Sequence, residues 1–545
     1  MKKVLIVILV ILLAVLAGLC GYLWYQNTHI FVEDAVYAIK SEALDLRGQE
    51  ISFEHFDSVH AQLPDCDILW DVPFQNGKQS NDSRSIAVTS LEEKDLDILS
   101  RYFPNLQKLD GTGCKDYTLL AEFAEKCPQV EVVYQIDLGN ISVEPDVTEL
   151  TLNPGEAAFE ALMENFAHLP MLETVMMTNT DFTLEQVAAL QEMYAEITMD
   201  YTVEILGQEY TSDTAALDLS AMTPEDVEAV AAKLPMLPAV AEVELMDANG
   251  KSNLTLTDVK ALQDAAGEAV VHYTFDFFGI TVSTTDEEVM VKNKKIGDDN
   301  QDAVRQALAV MENCRRFVLD TCRLSDEVLA QIREEFRGQT KLVWRVWFGD
   351  NGSSLTDAEV VRAVYGLVDD NCHDLVYCED TRYLDIGHNE YLDACDFIAG
   401  MPNLEVAILS GSPIKSIEPF SACTKLKFLE LANCIYFTDL SPLANCKELE
   451  MLNLSYAKIS DLSALDELPL THMTFIHNKT SAEEEARFEE KHPDCWTVWQ
   501  NGNQPYGVGW RYLDKSNEDK TFWYDALAKA FKYPHPNNNT GWYLN

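Results

Sequence analysis

Residues 404–412 read Leu404-Glu405-Val406-Ala407-Ile408-Leu409-Ser410-Gly411-Ser412, and this pattern recurs down the chain. Leu404, Ala407 and Leu409 match Leu426, Leu429 and Leu431, then Leu449, Leu452 and Leu454, then Leu470, Met473 and Phe475. The third members lie 22, 23 and 21 residues apart, and Leu384-Asp385-Ile386 extends the series 23 residues upstream of Leu409. A second apolar set keeps step, with Ile417, Leu440 and Leu462 spaced 23 and 22 apart. Pro419, Pro442 and the matching Ala464 stand before Phe420, Leu443 and Leu465. A coil of this length offers one short strand and cannot bury its apolar side alone, so neighbouring coils must stack and their strands must form a parallel sheet.

The spacing resembles the L-x-x-L-x-L-x-x-N/C signature of leucine-rich repeat proteins. Asn389, Cys434 and Asn478 hold the Asn/Cys position, whereas Ser412 and Ala457 depart from it. The resemblance implies that this side chain hydrogen-bonds loop backbone from inside the stack, with looser coils at Ser412 and Ala457. The segments Ile414 to Phe420 and Ile459 to Leu465 resemble the internalin-like version, whose outer side consists of short helical turns.

Upstream the period lengthens. An aromatic, a polar and an apolar residue recur as Trp70-Asp71-Val72, Tyr134-Gln135-Ile136, Tyr201-Thr202-Val203, Tyr273-Thr274-Phe275 and Trp344-Arg345-Val346, with aromatics 64, 67, 72 and 71 residues apart. Gly139, Gly207, Gly279 and Gly349 follow the last four, where a strand would turn out. Amphipathic helices precede the strands, for example Thr183 to Tyr194 with Val187, Leu190 and Met193 on one face. Thr223 and Thr255 read as capping hydroxyls followed by early acids. Pro493 stands six residues before Trp499, as Pro64 does before Trp70 and Pro128 before Tyr134, so a unit of the long type closes the chain after a helix at 482–491.

The expected fold is α/β, a leucine-rich repeat solenoid with a parallel sheet on its concave side, preceded by one N-terminal transmembrane helix. Its expected divisions are an anchor or signal at 1–25, long-period repeats at 26–350, short repeats at 351–480 and a closing, aromatic-rich cap at 481–545. The mixture of long and short repeats is similar to that of leucine-rich repeat surface proteins of anaerobic Gram-positive bacteria.

Lys2 and Lys3 precede an apolar run from Val4 to Tyr25, which as a helix would rise roughly 33 Å and cross a bilayer core. The basic flank suits the cytoplasm and Trp24-Tyr25 the outer interface, which puts the body outside the cell. A cleaved secretory signal and a lipidated Cys20 are the rival readings. The net charge of −50 repels phosphate backbones, so nucleic acid is a poor partner. Thirteen cysteines in 545 residues are far below a disulfide scaffold and read as thiols packed in a core, with pairing left open. A metal site at Cys372, His373, Cys378 and His388 lacks the short paired spacing that zinc favours.

No hydrolase, zincin, Walker or dinucleotide fingerprint occurs, so the expectation is a non-catalytic protein without metal or cofactor. The resemblance implies macromolecular binding, most simply to another protein, through strand residues that point out of the concave face. Those are Asp385, Glu430, Asn453 and Thr474, with Ser410 and Ser455 two residues beyond their own strand positions. From 496 on, aromatics rise to twelve in fifty residues. This tail reads as a cap over the last coil, as a carbohydrate or cell-wall glycan site stacking sugars on Trp496, Trp510 and Trp523, or as both. An anchored spacer without a specific ligand is the third functional reading.

Overall fold

The computed structural model describes residues 2–32, 35–499 and 522–532. The repeat stretch forms one seven-stranded sheet in chain order: Val360–Arg362, Tyr383–Asp385, Val406–Ile408, Phe428–Glu430, Met451–Asn453, His472–Thr474 and Trp496–Val498. All six pairings are parallel, and Leu384, Ala407, Leu429, Leu452 and Met473 are direct neighbours in register. Leu409, Leu431 and Leu454 follow their strands in an adjoining row and are fully buried. Three-residue strands have little stability of their own. What holds them is the stacked interior, where each buried leucine contributes about 1.5–3 kcal/mol.

Opposite the strands run short 3-10 turns, His373–Tyr377, Asp396–Gly400, Glu418–Ala422, Ser441–Asn445 and Ser463–Leu465, as the internalin-like segments imply. Pro419 and Pro442 occupy the first turn of theirs, where a missing N–H costs nothing. The turns stack so closely that a Cβ on Gly400 would lie 2.1 Å from the Val376 carbonyl oxygen. After each strand the chain passes through a left-handed residue, at His388, Gly411, Asn433, Tyr456 and His477. In the first four of these coils that residue's amide donates to the next coil, for instance His388 to the Ser410 carbonyl at 2.7 Å.

The Asn/Cys position behaves as the resemblance implies. The Asn389 Nδ2 donates to the carbonyls of Ala363 (2.9 Å) and Ile386 (2.7 Å), and its Oδ1 accepts from the Leu367 amide at 2.9 Å. Asn478 repeats this arrangement with Leu454 and Ile459, and the Cys434 thiol donates to the Leu409 carbonyl at 3.4 Å. Ser412 is not idle: its hydroxyl accepts from the Asn389 amide at 3.2 Å.

The long units are built differently from a continuous ladder. Their strands form separate parallel triplets: Ser85–Ala87, Lys108–Asp110 and Glu131–Val133; Glu149–Leu152, Thr174–Met177 and Thr198–Ile205; Ala216–Asp218, Glu242–Glu244 and Val270–His272; Glu288–Lys292, Arg316–Asp320 and Lys341–Phe348. At each expected turn-out the chain leaves the parallel sheet and forms an antiparallel hairpin, as Thr274–Asp276 does with Thr281–Ser283. Gly139, Gly207, Gly279 and Gly349 all adopt positive φ there, a conformation open to glycine at little cost. The marker aromatics are buried where the strand changes partner. The backbone exposed by that change is repaired from the return strand: Asn81 accepts from the Trp70 amide, Thr284 from Tyr273 and Thr356 from Trp344.

Helices fall where capping predicts. Thr183 and Thr255 form capping boxes with Gln186 and Asp258, and Ala482–Lys491 begins on the Ser481 hydroxyl. Thr223 caps a shorter element, a 3-10 turn at Pro224–Asp226 that leads into the helix Val227–Lys233. Lys2–Gln26 is a single helix, and its 6–26 stretch is long and apolar enough to cross a membrane. The chain packs as two compact units, 1–214 with 233–239 and 215–232 with 240–545. Every cysteine among the described residues is free, and eleven of them are buried. Burial pushes the Cys434 thiol up to about 12, which suppresses the reactive thiolate.

Candidate binding surface

Side chains alternate along a strand, so each short repeat sends its middle residue into the coil and its first and third residues to the outer sheet face. The third-residue row contains Asp385, Ile408, Glu430, Asn453 and Thr474, as the sequence indicates. The expectation that this row is open to solvent is corrected: Asp385, Glu430, Asn453, Thr474, Ser410 and Ser455 are all buried, none more than 9% exposed.

Two causes act. The polar groups are engaged with one another and with backbone. The Ser410 hydroxyl donates to Glu430 Oε1 at 2.9 Å and accepts from the Ala432 amide at 3.0 Å. Asn453 Oδ1 accepts from the Ser455 amide, Ser455 Oγ from the Ile476 amide, and Asp385 Oδ1 from the Gly387 amide. The second cause is a cover. The helix Phe522–Ala530 and the turn after it lie on this face, with Leu527 and Phe531 buried among Val406, Ile408, Phe428 and Met451. Tyr383 meets Phe531 edge-on, with ring centroids 6.3 Å apart.

The first-residue row explains why a cover fits. Val360, Tyr383, Val406, Phe428, Met451, His472 and Trp496 stand side by side, apolar or aromatic along nearly its whole length. None of the six residues expected on the concave face belongs to this row, although the signal was present: large apolar residues recur in phase at positions that point away from the coil interior. The tail helix therefore sits on the sheet face, whereas the last coil is bordered by the helix Ala482–Lys491, whose Phe488 packs edge-on against Trp499 at 5.9 Å. Of the proposed sugar-stacking residues, Trp496 is 41% exposed beside His472. Trp510 lies outside the described residues. Trp523 falls in the tail helix, and its side chain is not among those described.

The exposed aromatics of the short repeats are tyrosines on the loops that follow the strands. Tyr391 and Tyr436 are 78% and 60% exposed and occupy equivalent places, five residues after Ile386 and Leu431. Tyr365 and Tyr456 are also exposed and share the left-handed position. Tyr456 lies against the His477 ring at 4.8 Å. The alignment of leucines gave no hint of these residues, because they fall at one-residue insertions and at turn positions that the leucine pattern leaves unspecified.

Elsewhere, a cavity of about 510 Å³ borders Asp57, His60, Cys66, Arg101 and Tyr102, but Arg101 and Tyr102 both bond Asp57 and burial raises the Cys66 pKa. Among the described residues no group of three or more His, Cys, Asp and Glu could hold a metal ion. Cys372 and Cys378 are buried thiols, the first donating to the Asp369 carbonyl.

The sequence model for leucine-rich repeats, two copies, matches residues 402–445. No curated protein matches the chain. Solved structures similar to it include internalin C2 from Listeria monocytogenes, at 17% identity over 27% of this chain and 73% of the other, with TM-score 0.20. An internalin F from the same organism aligns at 12% identity over 78% and 86%, TM-score 0.23. A leucine-rich repeat protein from Leptospira interrogans aligns at 14% over 76% and 93%, TM-score 0.25. Proteins with such repeats generally mediate protein–protein interaction and are typically non-catalytic. The match at 402–445, and the coil geometry that continues on either side of it, show that this chain carries leucine-rich repeats.

Proposed function

We propose that the chain is a membrane-anchored, outward-facing, non-catalytic protein that binds another protein through its short repeats. The observation that carries this reading is the set of exposed tyrosines on the strand-end loops, above all Tyr391 and Tyr436. Tyrosine offers a large contact area with few rotamers to freeze, and these two sit on coils fixed by stacking. The helix Lys2–Gln26 supports the anchoring, with residues 1–25 as anchor, 26–350 and 351–480 as the long and short repeats and 481–545 as the closing region.

The test is cross-linking of the full chain in its own cell, comparing the native protein with Tyr391→Ala/Tyr436→Ala. A reproducible partner that is lost in the variant, at unchanged folding by circular dichroism, supports the reading. Absence of any reproducible partner favours the spacer reading. Protease shaving of intact cells should digest the body and leave the anchor; full protection would overturn the outward placement. The exposed Trp496 favours a second reading, glycan binding, which predicts peptidoglycan pull-down of the full chain and its loss in Trp496→Ala.

A further inference from the structure

The outer sheet face carries an apolar row, and the chain itself fills that row with a helix. We infer that Phe522–Ala530 is a cis-acting occupant of a helix-docking groove, and that the groove's partner is a protein presenting an amphipathic helix with an aliphatic and an aromatic side chain four residues apart. This rests on the protein-binding reading and specifies its surface and partner class.

The geometry supports it in three ways. The helix anchors through Leu527 and Phe531, an i, i+4 pair, which is the spacing by which a short helix presents one face to a groove. The residues that receive them, Val406, Ile408, Phe428 and Met451, come from three neighbouring strands at positions that would otherwise be exposed. Uncovered, they would form the kind of contiguous apolar patch that marks an interaction site. Finally, the helix is nine residues long, well below the length at which a helix is stable by itself in water. Its structure depends on docking, and among its described side chains Leu527 and Phe531 are the large ones that secure it. The sheet beneath, by contrast, is held by stacked leucines in every coil. Opening the helix need not disturb the coils.

A partner helix competes with a segment of the same chain, which acts at an effective concentration of order millimolar for a tethered module. Binding in trans is therefore masked in the native chain and unmasked when the tail's anchors are removed. The tail's own sequence supplies a probe of known chemistry, a fluorescein-labelled peptide of residues 520–533. We expect the full chain carrying Leu527→Asp and Phe531→Asp to bind this peptide at least tenfold more tightly than the native chain. Adding Ile408→Glu to that variant should abolish the gain. Equal binding by the native and Leu527→Asp/Phe531→Asp chains, or no binding by the latter while its far-UV circular dichroism is unchanged, would overturn the inference.

If the variant fails to fold, hydrogen exchange on the native chain decides. Amides of 526–531 exchanging at least tenfold faster than those of Val406–Ile408 show independent opening, and exchange in one cooperative step with those strands shows a permanent core element and refutes the proposal. The outcome is separable from that of the protein-binding reading. A failed groove with a partner still captured through Tyr391 and Tyr436 sinks only this inference. An open groove with no partner cross-linked in the cell sinks the reading it rests on.

Discussion

Arg345 grips Asp320 with two nitrogens at once, Nε at 2.7 Å and Nη2 at 3.1 Å, in the last of the long units. Asp320 closes the middle strand and Arg345 lies in the third, so the pair locks two strands of the Glu288–Lys292 triplet together. Its carboxylate is almost wholly buried, and the Arg345 guanidinium beside it holds its pKa at about 2, against an ordinary 3.8. Removing Arg345 leaves the buried carboxylate only the Thr321 hydroxyl at 2.9 Å and Lys292 at 3.6 Å. Arg345→Ala should therefore cost about 3–5 kcal/mol in urea unfolding, and Asp320→Asn less, since the amide keeps one acceptor. Because the folded pKa lies below the unfolded one, the pair's contribution is complete above pH 3.8 and fades as pH falls towards about 2. The native chain should show that acid loss in full and Arg345→Ala a smaller one, since the Thr321 hydroxyl and Lys292 still favour the Asp320 carboxylate.

A carboxylate with the opposite shift lies nearby. Asp326 is pushed up to about 6 by burial, reinforced by the adjacent Asp374, while the Trp344 indole N–H donates to it at 2.6 Å. Glu327 and Tyr377 face the same spot. Here the folded state binds the proton more tightly than the unfolded chain, so stability falls as pH rises from 3.8 through about 6. Asp374→Asn removes the neighbouring negative charge and should flatten that slope. The check is the denaturant midpoint of both proteins between pH 4.5 and 7.5; parallel profiles would count against the pair.

Gly400 tests how tightly the outer turns are stacked. An added methyl meets a carbonyl oxygen of the neighbouring turn at 2.1 Å, and backbone cannot swing aside as a side chain can. Gly400→Ala should lower stability by about 1–3 kcal/mol or more by overpacking. Gly77→Ala is a control for the loss of a glycine alone: like Gly400 it has no left-handed φ, but open space surrounds it. Equal losses in the two variants would discount the clash.

Asn389 satisfies three backbone groups from within the stack, and Asn389→Ala should leave the Ala363 and Ile386 carbonyls and the Leu367 amide without it. A loss of about 1–3 kcal/mol for each buried group left unpaired is the expectation, partly offset by entering water. Asn389→Asp keeps the Leu367 acceptor but loses the Nδ2 donor. It also sets a buried carboxylate against the Ala363 and Ile386 carbonyls, so its thermal midpoint should lie no higher than that of Asn389→Ala.

The sequence displayed the short coils almost to the residue, because a leucine every 22 or 23 positions can serve only a stacked interior. It displayed the hairpin turns through Gly139, Gly207, Gly279 and Gly349 for a similar reason, since the positive φ leaves few alternatives to glycine. Asn81, Thr284 and Thr356 were not legible, because a lone polar residue after a strand looks the same whether it caps a turn or repairs a buried amide. The outer face was misread at its most informative row. Tyr383, Val406, Phe428 and Met451 belong to the same hydrophobic census as the interior leucines, and only the pairing register separates one side of a three-residue strand from the other.

The hairpins that end the long units leave a last consequence. At Lys341–Phe348 the chain departs to pair with Gly352–Leu355, so no ladder of main-chain bonds joins that triplet to the seven-stranded sheet among the described residues. A single main-chain bond, from the Gly349 amide to the Asn371 carbonyl at 3.0 Å, and side chains bridge the seam: Arg333 reaches the Tyr377 carbonyl at 3.0 Å and Glu379 at 2.7 Å while lying over the Trp344 ring. Such a seam works like a firebreak. Fraying that enters the short coils can run from strand to strand until it reaches Val360–Arg362, and there it must stop or begin again, so heat or pulling force should dismantle this protein in discrete blocks.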